Sequence, residues 1–307
     1  MRPVTYTVPR TLVSKGAVTA ELLRALRERG YAQDGPAFQA SRPWSTALPL
    51  VTQSAVRVVA KVYDEGEGEA AYANMREAWH SSFGERRRPP GLPRPLDYLP
   101  DLDVLVMERL EATRLADLGV YDEKTLDRSV RLIASLHESD ARPRKRRDSR
   151  RIVRSVRRKG DQIDGRIPGL GAHFREVADA LDAASIGDRE LRPAHGDCSA
   201  GNVLVASDRV ALIDWDRFQS ADPARDVAYF GSWYWVRALE RGARPDWSML
   251  GQTVAAYEAA RPGVSLEERL DFHVAAGLMR MAHFLAEVRV RPELVPRIAT
   301  EALSRLS

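Results

Sequence analysis

The sequence predicts an α+β protein on three observations. Residues 46–51, 55–63 and 103–107 carry apolar runs with strand character, all in the first third or so of the chain. Beyond about residue 111 helical spacing dominates, at 122–137, 250–260, 266–289 and 293–306. Set into that helical part is one short hairpin pattern, 203–206 and 210–213 joined at Ser207-Asp208-Arg209, with polar clusters on both sides.

Taken in order, residues 18–29 place Leu22, Leu23 and Leu26 at helical spacing, and Gly30 stops the helix. In 55–63, Val58, Ala60 and Val62 face one way and Val59, Lys61 and Tyr63 the other, so a lysine sits inside an apolar strand. Residues 64–68 are a polar turn, after which Tyr72, Met75, Trp79 and Phe83 recur at helical spacing over 69–83. A helix therefore follows the lysine strand. Residues 86–91 read as loop from their Arg, Pro and Gly content, and the strand at 103–107 runs into Glu108-Arg109-Leu110. Leu126, Val130, Ile133 and Leu136 then give a helix ending in Ser135-Leu136-His137. Trp233, Tyr234, Trp235 and Trp247 lie on helical segments, where aromatics fill cores more often than they hold ligands.

At 307 residues, 44% apolar and 29% charged, the composition is that of a globular protein with room for one large or two modest domains. No run is long enough to cross a bilayer and residues 1–10 lack an apolar signal core, so a cytoplasmic protein without a membrane partner is expected. Cys198 is the single cysteine, which excludes an internal disulfide and a cysteine-based zinc site. It is expected to be a small buried filler rather than a nucleophile.

The chemistry concentrates between His195 and Asp226. A hairpin brings its outer ends together, so Asp197 and Asn202 ahead of it and Asp214 after it converge, with Asp216 close by. Converging oxygens suit Mg²⁺, which shares its shell with phosphate and water. His195-Gly196-Asp197, Asn202 five positions after Asp197, and Ile213-Asp214-Trp215-Asp216 together resemble the catalytic core of the aminoglycoside phosphotransferase and choline kinase family. Ser135-Leu136-His137 and the stretch from Asp222-Pro223 to Asp226-Val227-Ala228 extend the resemblance, which spans roughly 38–230.

That resemblance implies a bilobal protein-kinase-like fold: a small lobe, 1–110, with an antiparallel sheet and one key helix, and a large, mostly helical lobe, 111–307. It implies ATP or GTP between the lobes, Mg²⁺ on Asn202 and Asp214, and Asp197 as the catalytic group that orients the acceptor hydroxyl and takes its proton. Lys61 would grip nucleotide phosphate, positioned by an ion pair with Glu77, sixteen residues on, in preference to Glu69. Met107, Glu108 and Arg109 would form the hinge against which the base bonds, through backbone groups that do not distinguish ATP from GTP. The family's phosphate-covering hairpin, often glycine-bearing, corresponds to 40–46, which has no glycine. The amides and hydroxyls of Ser45 and Thr46, and the charge of Arg42, are what that stretch offers. His137 and His195 are expected to hold structure rather than move protons, and Asp226 to bond backbone amides near the start of its helix.

From Arg142 to Lys159 the chain carries eleven Lys or Arg against one acid, Asp148. The run reads either as a solvated face or as an anion-binding surface. It lacks interleaved aromatics and any nucleic-acid module, which argues against nucleic acid as a partner. The family places its acceptor-shaping helices in this interval, so a polycationic acceptor would meet like charge there. The expected activity is transfer of a γ-phosphoryl group to a hydroxyl of an antibiotic, sugar, amino alcohol or related metabolite that is not strongly cationic. A kinase for Ser/Thr of a peptide and a non-catalytic nucleotide-binding scaffold are the other classes; the intact Lys61, Glu77, Asp197, Asn202 and Asp214 argue against the scaffold.

Overall fold

The computed structural model describes residues 18–39, 45–63, 66–119, 123–184, 187 and 191–307. Residues 40–44 of the glycine-free loop, Arg42 among them, lie outside these. Helix α1 (Ala20–Glu28) is capped by Thr19, whose Oγ1 accepts from Leu22 N at 3.1 Å, and ends where Gly30 takes φ +85°. There follow β1 (Tyr31–Gln33), β2 (Phe38–Gln39), β3 (Thr46–Thr52), β4 (Arg57–Val62), α2 (Glu67–Trp79), β5 (Pro95–Leu99) and β6 (Val104–Glu108).

These strands form one antiparallel sheet in the order β1-β3-β4-β6-β5, with β2 paired to β3. Alternation along β4 decides what each face does. Val58, Ala60 and Val62 join Leu26, Leu48 and Leu50 in one core, under α1. Tyr63 packs instead in the core beneath α2, and Lys61 stands between Ala47 and Leu105 in the middle of the sheet. Burying Leu48 or Leu50 completely is worth about 1.5–3 kcal/mol each, which fixes the strand register and with it the direction of Lys61.

The rest of the chain is mostly helical: β7 (Thr113–Arg114), α3 (Glu123–His137), β8 (Arg146–Arg147), α4 (Ser149–Asp164), α5 (Gly171–Ala183), β9 (Arg192–Ala194), β10 (Val203–Val205), β11 (Val210–Leu212), β12 (Gln219–Ala221), α6 (Ala224–Glu240), α7 (Ser248–Ala260), α8 (Glu267–Glu287) and α9 (Val295–Ser304). Strands β10 and β11 pair antiparallel as the hairpin pattern predicts, and β7 adds to the β10 edge. A second small sheet orders β8-β12-β9, with β8 parallel to β12. Because β9 runs directly into His195, this sheet ties the basic run to the loop that carries Asp197. No described helix is long and apolar enough to cross a membrane.

Candidate active site

The loop after β9 is built on a buried carboxylate. Asp226, in the first turn of α6, accepts from His195 N at 2.7 Å and Gly196 N at 2.9 Å, and lies 3.2 Å from His137 Nε2. Burial alone would raise this carboxyl, but the contact with His137, reinforced by the charges of His195 and Arg225, holds it below the usual range. It therefore serves the amides of the loop rather than those of its own helix. His137 Nδ1 meets the Tyr257 hydroxyl at 2.8 Å, and His195 Nε2 meets Ile213 O at 2.9 Å. Both histidines hold structure. Gly196 sits at φ +75°, and a Cβ there would come within 2.4 Å of Arg217 O, so only glycine fits. Cys198 is fully buried in the core.

Folding of the β10–β11 hairpin brings the two polar clusters together. Asn202 Nδ2 donates to Asp197 O at 2.8 Å, which commits the amide nitrogen to the loop and leaves the amide oxygen as the atom suited to a metal. Asp214, just after β11, adopts φ +69° and ψ +67°. A non-glycine residue there costs on the order of 1–3 kcal/mol and marks a position where side-chain direction matters more than backbone comfort. Its Oδ1 accepts from Lys61 Nζ at 2.7 Å.

Lys61 does not pair with Glu77. Its ammonium bonds Asp214 and both oxygens of Asp216, at 2.9 and 2.8 Å, and Asp216 Oδ1 also accepts from the Tyr63 hydroxyl at 2.7 Å. Burial by itself would lower the lysine, yet Asp214 and Asp216 hold it well above its ordinary value. Burial, then the charge of Asp214, pushes the Asp216 carboxyl up. Glu77 accepts instead from Arg142 N at 2.6 Å, because the buried face of α2 carries Ala71, Asn74 and Met75. Glu69 is exposed and does not pair with Lys61 either. Helix α2 reaches the site through Asn74, whose Nδ2 donates to Trp215 O at 3.1 Å.

The other residues expected at a nucleotide lie at the start of β3 and the end of β6. Ser45 is buried, 1% exposed, with a hydroxyl that has no hydrogen-bond partner among the described residues; Thr46 lies opposite Val62 on β3. Met107 packs against the core beneath α2. The side chains of Glu108 and Arg109 are engaged with Arg209 at 2.5 Å and Asp34 at 2.9 Å. Glu108 N also donates to Arg94 O at 2.9 Å.

Asp197 meets arginines that the sequence reading did not connect to it. Arg280 of α8 donates Nη2 to Asp197 Oδ1 at 2.5 Å and Nη1 to Gly196 O, while its guanidinium lies 4.4 Å from the centre of the Tyr229 ring. Arg217 Nε stands 3.9 Å from Asp197 Oδ2. A fork of this kind fixes the carboxylate in one orientation. Tyr63 and Asp216 were recoverable from the sequence, one from the face it shares with Lys61 and the other from its place beside Asp214. Arg280 was not, since a single arginine on a long amphipathic helix looks like any surface residue.

A family model described as the phosphotransferase enzyme family (APH) matches residues 50–263. No curated protein matches the chain. Among solved structures the chain is similar to choline kinase from Streptococcus pneumoniae, with 14% identity over 92% of this chain and 96% of that one and a TM-score of 0.63. It is similar also to an aminoglycoside-3'-phosphotransferase of type VIII, with 22% identity over 83% and 96% and a TM-score of 0.58. A spectinomycin phosphotransferase in complex with ADP and spectinomycin matches at 14% identity over 99% and 94%, TM-score 0.57. At these identities the likeness is one of fold, the protein-kinase-like fold.

Proposed function

Because the chain belongs to the phosphotransferase enzyme family, whose members move a phosphoryl group to an alcohol, we propose that it transfers the γ-phosphoryl group of ATP or GTP to a hydroxyl of a small molecule. The observation that carries this reading is that the β10–β11 hairpin brings Asp197 and Asn202 to the same end as Asp214, which bonds Lys61 from the other part of the chain. Asn202 and Asp214 offer the hard oxygen donors that suit Mg²⁺, with Asp216 beside them, and a two- or three-oxygen set is what an ion sharing its shell with phosphate needs. Bound there, Mg²⁺ would neutralise charge on the transferring phosphoryl group.

The chain's own residues do the rest. Lys61 offers a charged ammonium to nucleotide phosphate, and the base lies against the Met107–Arg109 segment, where Glu108 N is already taken by Arg94 O. Asp197, held by Arg280, orients the acceptor hydroxyl and takes its proton late, as the bond to phosphorus forms. Positioning supplies most of the rate, since the in-line displacement asks for little covalent chemistry. Two arginines at Asp197 favour an acceptor that is neutral or acidic over a polycation.

The test is Asp197→Asn, assayed by diphosphate release across a panel of hydroxyl acceptors. Loss of positioning and proton acceptance is expected to lower kcat by on the order of 10²-fold or more, with nucleotide affinity nearly unchanged. Turnover within about threefold of wild type would overturn the assignment.

A further inference from the structure

Beside Asp197 opens a cavity of about 250 Å³ lined by Arg147, Arg158, Lys159, Arg217, Arg225 and Arg280, and by no carboxylate. These cations come from five separate parts of the fold. Arg147 lies on β8, Arg158 and Lys159 on α4, Arg217 after β11, Arg225 in the first turn of α6 and Arg280 on α8. The parallel pairing of β8 with β12 sets Arg147 opposite Ala221, four residues ahead of Arg225. Arg280 and Arg217, which also touch Asp197, connect the cavity to the catalytic carboxylate.

The carboxylates that act on these cations, Asp148 on Arg147, Glu287 on Lys159, and Asp226 and Asp197 on Arg225, do so without a bonded contact. Arg147, Arg158, Lys159 and Arg225 make no salt bridge and no side-chain hydrogen bond among the described residues, and Nη1 of Arg225 is a buried atom without a partner. Burial pushes Arg225 down to about 9, with Arg280 and Arg147 adding to the effect. Burial likewise pushes Lys159 down to about 8, with Arg217 and Arg280 adding. Like charges held together in a half-buried cavity lower stability, so the arrangement is explained by an anion that binds there.

The size and the donor type say which anion. At roughly 30 Å³ per water, the cavity takes several waters' worth of ligand, which fits a single anionic group with a short carbon stem and no polymer. A carboxylate brings one charge and two oxygens, whereas a phosphomonoester brings about −1.5 to −2 and three strong acceptors matched to guanidinium forks. We propose that the acceptor carries a phosphomonoester, bound in this cavity, with its free hydroxyl at Asp197. The proposal rests on the phosphotransferase reading and names its substrate class. The hydroxyl oxygen forms a bond to the γ-phosphorus and the bond from that phosphorus to the β–γ bridging oxygen breaks. Nucleoside diphosphate leaves, the hydroxyl proton passes to Asp197, and the product is a bisphosphorylated compound.

Two measurements test this. The first compares diphosphate release with matched acceptors: glycerol, glycerate and glycerol 3-phosphate, and glucose, gluconate and glucose 6-phosphate. The second is calorimetry of inorganic phosphate binding to protein saturated with Mg²⁺ and a non-hydrolysable ATP analogue, for wild type and for Arg158→Ser with Lys159→Met. The phosphorylated acceptors should have kcat/KM at least about tenfold above their neutral and carboxylate counterparts. Phosphate should bind, and the double substitution should weaken it about tenfold without changing analogue affinity. Equal or better use of the neutral or carboxylate acceptors, or phosphate binding that is absent or indifferent to the substitutions, overturns the proposal. Failure of the analogue to bind, or turnover indifferent to Asp197→Asn, counts against the phosphotransferase reading instead, while the phosphate titration still judges the cavity.

Discussion

Glu77 and Asp216 make competing claims on Lys61, and a pair of double-mutant cycles separates them. Lys61 is 6% exposed and bonds Asp216 through two contacts at 2.8 and 2.9 Å. Hydrogen bonds to charged groups are worth about 1.5–3 kcal/mol, and removing one partner of a buried pair costs about 3–5 kcal/mol. Since Lys61 would keep Asp214 at 2.7 Å, Asp216→Ala falls toward the lower range, at about 2–3 kcal/mol. Glu77 touches only the backbone of Arg142, so Glu77→Ala should cost about 1 kcal/mol and leave the lysine undisturbed. Crossed with Lys61→Met in urea denaturation, Asp216→Ala should show a coupling energy of at least about 1.5 kcal/mol and Glu77→Ala one within about 0.5 kcal/mol of zero. Coupling of Lys61 to Glu77 larger than to Asp216 would refute the geometry.

Three further outcomes follow from the same cleft. Asp214→Ala should abolish the Mg²⁺ dependence of nucleotide binding, measured by calorimetry with a non-hydrolysable analogue at varied Mg²⁺; an unchanged dependence would place the metal elsewhere. Lys159 is faced by Arg158 on its own helix, by Arg217, and by Arg280, His283 and Glu287 of α8. Its amine lies at about 8 in the folded protein against 10.5 in the free side chain, so between those values the unfolded chain holds the extra proton and stability from this group rises with pH. An anionic acceptor favours the protonated lysine, so its KM should climb as pH passes about 8, and in Lys159→Met the climb should move up toward about 9, where Arg225 loses its charge. Arg150, Arg151 and Arg154 are exposed, and replacing all three with Ser should leave acceptor KM within about twofold at low and high salt.

The legibility of the fold followed the range of the forces involved. Helix α1, the faces of β4, the β10–β11 hairpin and α3 were readable because each is set by residues a few positions apart. Strand β5 was missed: Pro95-Leu96-Asp97-Tyr98-Leu99 offers no clean alternation, and a bulge between Pro95 and Asp97 breaks its register with β6. The site divided in the same way. Asp197, Asn202 and Asp214 converge through a local hairpin, whereas the partner of Lys61 depends on how far α2 rotates against the sheet. Spacing put Glu77 on a helix after the lysine strand, but packing of Ala71, Met75 and Ala78 into the core turned that glutamate away.

The basic run shows how a helix can divide one cluster of charge into two roles. Asp148 caps α4 by accepting from Arg151 N at 2.8 Å, and from there Ile152, Val153, Val156 and Ile163 turn into the core. A helix advances about 100° per residue, so once that apolar stripe is buried every arginine's direction is fixed. Arg150, Arg151 and Arg154 point to solvent, and Arg157 reaches Asp179 of α5 at 2.6 Å. Arg158 and Lys159 fall on the flank toward α8, where Arg280 and Asp197 stand. A count of eleven cations could not separate these groups, since some face solvent and others line the cavity. The separation lies in the phase of the buried stripe: Lys159 is set where burial makes an unpaired cation costly, whereas Arg158 lines the cavity from an exposed position.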